Sequence, residues 1–178
     1  MSRSNFTRRD VIGGAVTFSL VTAAVSDEIA HTAPRIADDA ALMDYFLDFS
    51  EAATGFFRAD LESTGQDEAY FATARDILEG NRFEDFLRAY HDSGLQVLLS
   101  SPKFGPIARN MIKLWYTATW ERLPRKWQDD YGSISNDTTF VVSAEAYKTG
   151  LLWPAIGVNP PGAHGPGYGA WSDAPSRT

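Results

Sequence analysis

Ser101 to Trp120 reads SPKFGPIARNMIKLWYTATW, and the fold class turns on this stretch. Ser101-Pro102 has the form of a cap followed by a first-turn proline, where a missing N–H costs nothing. A helix is predicted from there to about Trp120. Ile107, Met111, Leu114, Trp115 and Ala118 recur at the three- and four-residue spacing of one helical face. Ile112, Tyr116 and Trp120 lie on a second face. At about 100° per residue, Trp115 and Trp120 point about 140° apart. A helix with apolar bulk on two faces is buried on two sides. One side belongs to the chain's own bundle. The other is covered by the C-terminal segment or by a partner protein.

The residues before it supply the rest of a bundle. Asp38 and Asp39 cap a predicted helix to about Phe57, with Leu42, Tyr45, Phe46, Phe49, Ala53, Phe56 and Phe57 at helical spacing. Gly55, costing about 1 kcal/mol relative to Ala, marks close packing or an early end. A second helix is expected over Asp67 to Glu79, burying Tyr70, Phe71, Ala74, Ile77 and Leu78. A third, short helix follows over Arg82 to His91; Gly94 interrupts, and the apolar run Leu95 to Leu99 resumes after it. Pro124 closes the central helix region. Trp127 to Thr139 is polar and turn-rich and reads as a surface loop, and Thr139 to Val142 as a short β-stretch.

Ala146 to Trp171 reads AYKTGLLWPAIGVNPPGAHGPGYGAW. It opens as a helix capped near Ser143, then Trp153-Pro154 biases the chain away from helical angles. Pro160, Pro161 and Pro166 stop any later helix, while five glycines between Gly157 and Gly169 permit turns. Yet Trp153, Ile156, Val158, Tyr168 and Trp171 are spread along it, and an irregular segment carrying such side chains must lay them on some surface. That surface is the chain's own domain or another chain. The expected fold is therefore mainly α: a small helical bundle over residues 27–152 with an irregular Pro/Gly/aromatic-rich segment over 153–178.

The 178 residues suit one domain and contain no cysteine, which excludes disulfides, thiol catalysis, Cys-ligated iron–sulfur clusters and c-type haem attachment within this chain. The net charge of −7 argues against nonspecific nucleic-acid binding. Asp27 to Asp92 carries 16 acidic and 5 basic residues, and Ser93 onward carries 6 acidic and 8 basic, so the acidity is confined to the first half. Such a face is ordinarily a solvated helical surface. Residues 1–26 read as an export signal: Arg3, Arg8 and Arg9 precede a modestly apolar run, Val11 to Val25, too short to span a membrane. The pair Arg8-Arg9 resembles a twin-arginine signal. Such signals export folded proteins, commonly because a cofactor is inserted first. No cofactor site is read in this chain, so the route implies a cofactor-loaded companion.

No catalytic constellation stands out. His31, His91 and His164 are not paired at metal-ligand spacing. The glycine-rich Gly165 to Gly169 is proline-interrupted and cannot be a dinucleotide fingerprint. Ser100-Ser101-Pro102-Lys103 has only the outline of a Ser-x-x-Lys motif. Asp129-Asp130 beside Trp127 has the residue types of glycoside chemistry, but adjacent loop carboxylates ordinarily face water. The expectation is no catalytic, cofactor-binding or metal residue.

Phe49-Ser50-Glu51-Ala52-Ala53-Thr54-Gly55, Leu114-Trp115-Tyr116-Thr117-Ala118-Thr119-Trp120, Gly150 to Gly157, Asn159 to Gly162 and Pro166 to Trp171, with the N-terminal Arg pair, together resemble the small subunit of membrane-bound FAD-dependent sorbitol dehydrogenases and related sugar or alcohol dehydrogenases. The resemblance covers most of the chain after the signal. It implies a three-part periplasmic complex associated with the cytoplasmic membrane. A large subunit holds FAD, with an iron–sulfur cluster, and oxidises the polyol or sugar; a multihaem cytochrome c subunit, carrying haem c, passes electrons to quinone. The small subunit carries the signal read by the twin-arginine translocase, escorts the large subunit and stabilises it. On this expectation Arg8 and Arg9 serve export. Trp115, Tyr116, Trp120, Trp153, Tyr168 and Trp171 are aromatic anchors for the partner, and Pro154, Pro160 and Pro161 pre-extend the docking segment. The rival expectation is a stand-alone exported carbohydrate-active or carbohydrate-binding protein using exposed Trp rings. A third is a helical module with no dedicated partner.

Overall fold

The computed structural model of the chain describes residues 38–164, 167 and 168. The expected export signal, with Arg8 and Arg9, lies outside the described residues, as do Pro166 and Trp171. The described chain is mainly helical, as its apolar spacing requires. Helix α1 runs Asp39–Thr54. The Asp38 carboxylate caps it, accepting from the Ala40 N–H at 3.0 Å. It ends before the expected Phe57 because Gly55 takes φ 77°, and its N–H donates to the Glu51 carbonyl at 3.0 Å. No neighbour crowds Gly55, so its role is the left-handed angle, not close packing. The break sends Phe56 towards the core and leaves Phe57 75% exposed.

Helix α2 (Arg58–Ser63) folds back beside α1, and the Arg58 guanidinium bridges Asp44 and Asp48 at 2.5 Å each. Helix α3 spans Asp67–Ile77. Helix α4 spans Asn81–Ser100, longer than the short helix expected, because Gly94 (φ 76°, ψ 169°) kinks it instead of ending it. Its first half buries Phe83, Phe86 and Leu87; beyond the kink only Leu98 is fully buried.

Helix α5 spans Gly105–Thr117, shorter at both ends than expected. Ser101 terminates α4 instead of capping α5, and Pro106, not Pro102, occupies the first turn. The turn between them is tight: a Cβ at Gly105 would lie 2.6 Å from the Leu99 carbonyl oxygen. At its other end Ala118 is left-handed (φ 53°) and donates to the Leu114 carbonyl at 2.8 Å. Trp120 therefore leaves the helix. It sits in strand β1 (Thr119–Trp120), paired antiparallel with β2 (Phe140–Val141) in the register Thr119 with Val141 and Trp120 with Phe140.

The segment read as a surface loop contains helix α6, Arg125–Tyr131. Pro124 precedes its first residue, where proline is tolerated. Trp127 is buried, and its indole N–H donates to the Lys103 carbonyl at 2.6 Å. One inward ring, with Gln128, holds this otherwise polar turn. Helix α7 (Ala144–Lys148) has the expected cap, with the Ser143 hydroxyl accepting from the Ala146 N–H at 2.9 Å. Helix α8 (Leu152–Ile156) contains the Trp153-Pro154 pair expected to exclude helix. Pro154 falls in the first turn of α8, where its missing N–H needs no partner, so the helix starts around it. Beyond it, β3 (Ala163–His164) and β4 (Gly167–Tyr168) pair antiparallel.

α1, α4 and α5 pack against one another around the core. Aromatic rings fill it. Phe49 meets Phe86 edge-on at 4.9 Å, Tyr70 meets Trp115 edge-on at 4.9 Å, and Phe46 stacks on Trp115 at 6.1 Å. Such pairs contribute about 0.5–1.5 kcal/mol each beyond the area they bury.

Candidate functional site

The expected anchor residues separate into an internal set and an external set. Trp115 is 1% exposed and Trp120 is fully buried. Both indole N–H groups are bonded inside the chain, Trp115 to the Ser50 hydroxyl at 2.9 Å and Trp120 to an Asp137 carboxylate oxygen at 2.9 Å. These two rings are core of this chain, and their surfaces are not open to a partner. Trp120 is the instructive case. On a continuous helix it would face away from Trp115, whereas the left-handed turn at Ala118 folds it back inward. Tyr116 is half-buried. Its hydroxyl donates to the Thr54 carbonyl at 2.9 Å, satisfying an acceptor left over at the end of α1.

Trp153, Pro154 and Pro160 gather at one place. They line a cleft of about 580 Å3 between the C-terminal segment and the region of α2, whose wall includes Phe56, Asp60 and Ser63. Two backbone contacts hold the segment there. The Leu151 N–H donates to the Trp115 carbonyl at 3.0 Å. Gly150 lies so close to the end of α5 that a Cβ would sit 2.6 Å from the Tyr116 oxygen. The Trp153 ring lies edge-on to Tyr147 at 5.4 Å and its N–H donates to the Tyr147 carbonyl at 2.8 Å, so the ring is fixed while one side stays open. Immediately after it, Ile156 is 57% and Val158 50% exposed. The carbonyl of Pro154 accepts from Gly157 at 3.2 Å, and Gly157 is left-handed (φ 68°), which turns the chain so that Ile156 and Val158 both remain outside. Pro161 is exposed. The backbone of Tyr168 pairs with Ala163.

The polar chemistry lies elsewhere, where the sequence suggested only a loop. Asp137 is 3% exposed and accepts at one oxygen from Trp120 and at the other from the Leu123 N–H at 2.9 Å and the Gln128 amide at 3.1 Å. Gln128, also buried, donates a second bond to the Leu123 carbonyl at 3.1 Å and accepts from the Arg122 guanidinium at 3.3 Å. Asn110, buried in α5, donates to the Glu121 carbonyl at 2.5 Å. Nothing in the spacing of these polar residues marks them; only Trp120, whose indole needs an acceptor once buried, hinted at one. The Asp129-Asp130 pair does not act together: Asp130 pairs with Lys126 at 2.7 Å, which raises the lysine pKa through that hydrogen bond, and Asp129 borders a separate cleft. Trp127 beside them is buried, so it offers no sugar platform.

Among the described residues, no group of three His, Cys, Asp or Glu side chains could hold a metal ion. His91 lies on the surface with its ring 5.0 Å from Tyr45. No described helix is long and apolar enough to cross a membrane. Comparison with family models, curated proteins and solved structures gives no match to this chain.

Proposed function

We propose that this chain is the non-catalytic small subunit of an exported FAD-dependent polyol or sugar dehydrogenase, which escorts the flavoprotein large subunit and stabilises it in the periplasm. The observation that carries the reading is the exposed apolar pair Ile156 and Val158, of which Val158 lines the C-terminal cleft together with Trp153. Large apolar side chains held outside a well-packed core are what a docking surface presents. The segment that carries them is tied to α5 through Leu151 and Gly150, so little conformational freedom is lost on docking. The motif resemblance supplies the partner's chemistry: FAD and an iron–sulfur cluster on the large subunit and haem c on the cytochrome, with the twin-arginine translocase as the export route. Relative to the sequence expectation, buried Trp115 and Trp120 leave the docking set, Trp153, Pro154 and Pro160 stay in it, and Ile156 and Val158 join it, while the side chains of Tyr168 and Trp171 lie outside the described residues.

The test is affinity purification of the chain from its native host, with a visible spectrum and dye-linked polyol oxidation measured on the eluate. A yellow, haem-containing, polyol-oxidising complex is expected. Ile156→Asp with Val158→Asp should reduce the co-purified flavin at least about tenfold, since central interface residues contribute about 2 kcal/mol or more each. Both positions are exposed, so the melting temperature of the chain should hold. A colourless chain that itself binds or oxidises sugar would refute the proposal in favour of a carbohydrate-binding protein.

A further inference from the structure

We propose that the polar cleft bounded by Arg122, Arg125, Gln128, Asp129 and Ser133 is a binding site for a small hydroxycarboxylate. The cleft has a volume of about 410 Å3, within the range of small-molecule sites. Among the described residues, Leu123 is its remaining wall and none of the C-terminal segment borders it. The site therefore stands independently of the docking surface.

Two positive charges and one carboxylate, Asp129, line this cleft, which leaves it with an excess of one positive charge. Among the described residues, neither Arg122 nor Arg125 forms an ion pair, although the chain carries an excess of carboxylates and pairs Arg58, Arg75 and Lys126 with them. Arg122 is held from behind. Its guanidinium donates to the Gln128 amide oxygen, and the Gln128 nitrogen is committed to the Leu123 carbonyl and to buried Asp137. That commitment fixes which end of the amide faces Arg122. The Arg122 backbone is likewise fixed, its amide N–H donating to the Thr139 hydroxyl at 3.0 Å. A buried carboxylate, a buried amide and a guanidinium thus form a rigid relay that ends at the cleft, so one side of the site is pre-organised.

Two guanidinium groups select an oxyanion, because each offers a planar fork of N–H donors. Asp129 narrows the choice. As a carboxylate in the same wall it repels a dianion, but it accepts hydrogen bonds from hydroxyl groups. Ser133 can donate or accept. The combination suits one carboxylate seated at the arginines and hydroxyls directed towards Asp129 and Ser133. A phosphate would leave Asp129 unmatched, and a neutral polyol would leave the arginines unmatched.

Calorimetric titration of the full chain at pH 7 with gluconate, acetate, inorganic phosphate and sorbitol tests this. Gluconate should bind saturably with one site, at least about tenfold more tightly than each of the other three, since each of them leaves a charged group of the site without its hydrogen bond. Arg125→Gln should weaken gluconate at least about tenfold and leave the melting temperature unchanged, because that side chain is exposed and unpaired among the described residues. Arg122→Gln should weaken it similarly. Absence of saturable gluconate binding, or undiminished binding by Arg125→Gln, would overturn the site. Phosphate or sorbitol binding as tightly as gluconate would overturn the assigned ligand class.

Discussion

Replacing Tyr70 by Phe should stabilise this protein. The Tyr70 side chain is 1% exposed, and its hydroxyl has no hydrogen-bond partner among the described residues. A buried, unpaired hydroxyl forfeits its water bonds at a cost of about 1–3 kcal/mol. Phenylalanine removes that cost and keeps the edge-on contact with Trp115 at 4.9 Å. The small void left by the oxygen offsets part of the gain, leaving about 1 kcal/mol, or a rise of about 2–4 °C in Tm for a domain of this size. Urea unfolding at pH 7, followed by Trp fluorescence, measures it. A second arm uses pH. Burial raises the Tyr70 pKa above the ordinary value of 10.0. In the unfolded chain the phenol loses its proton from about pH 10 upward, while in the fold it keeps it. The unfolded state then binds fewer protons, so stability falls as pH rises, by up to about 1.4 kcal/mol per pH unit. Tyr70→Phe lacks this loss, so its advantage should widen between pH 9 and pH 11. The Tyr90 pKa is also raised, chiefly by burial, but Tyr90 is common to both proteins and cancels in the difference. Destabilisation by about 1 kcal/mol or more would refute the reasoning by showing that the hydroxyl has an acceptor, and an advantage that does not change with pH would refute it by showing that the phenol ionises as readily in the fold as in the unfolded chain.

Two further substitutions probe the parts that shape the surface. Asp137→Ala strands the Trp120 indole, the Leu123 N–H and the Gln128 amide, and should cost about 3–5 kcal/mol, read as a lower urea midpoint. Asp137→Asn keeps an acceptor and should lose less. Gly150→Ala places a Cβ 2.6 Å from the Tyr116 carbonyl oxygen, so the segment after it must move. It should cost about 1–3 kcal/mol and alter the environment of Trp153, seen as a shift in its fluorescence; an unchanged spectrum would show that the C-terminal cleft does not depend on this approach.

The body of the bundle was legible because its signals are local. Leu42, Phe46 and Phe49 recur at helical spacing and all face the core, and Asp38 and Ser143 cap the helices they precede. Errors arose where one residue redirects the chain. Ala118 adopts a left-handed angle that no local rule assigns to alanine, and this removes Trp120 from the face its spacing predicts. Trp153-Pro154 signals a break, yet the same proline is compatible with the first turn of a new helix, and packing on α5 selects that outcome. Trp127 to Thr139 reads as a loop because its two inward apolar residues, Trp127 and Ile134, are set among polar ones without helical spacing. Gln128 and Asp137 are buried as a bonded set, which periodicity in apolar residues cannot register.

The sequence by itself determined the helical class, the aromatic core of α1, α3 and α4, and the absence of cysteine chemistry, because each depends on residue identity or on spacing within a turn or two. The tertiary structure decided which tryptophans are internal, where the apolar edge of Ile156 and Val158 faces, and that Arg122 and Arg125 share a cleft backed by Asp137. Those outcomes depend on contacts between residues distant along the chain. The free energy of pairing a buried indole, amide and carboxylate outweighs the local preferences of the segments that carry them.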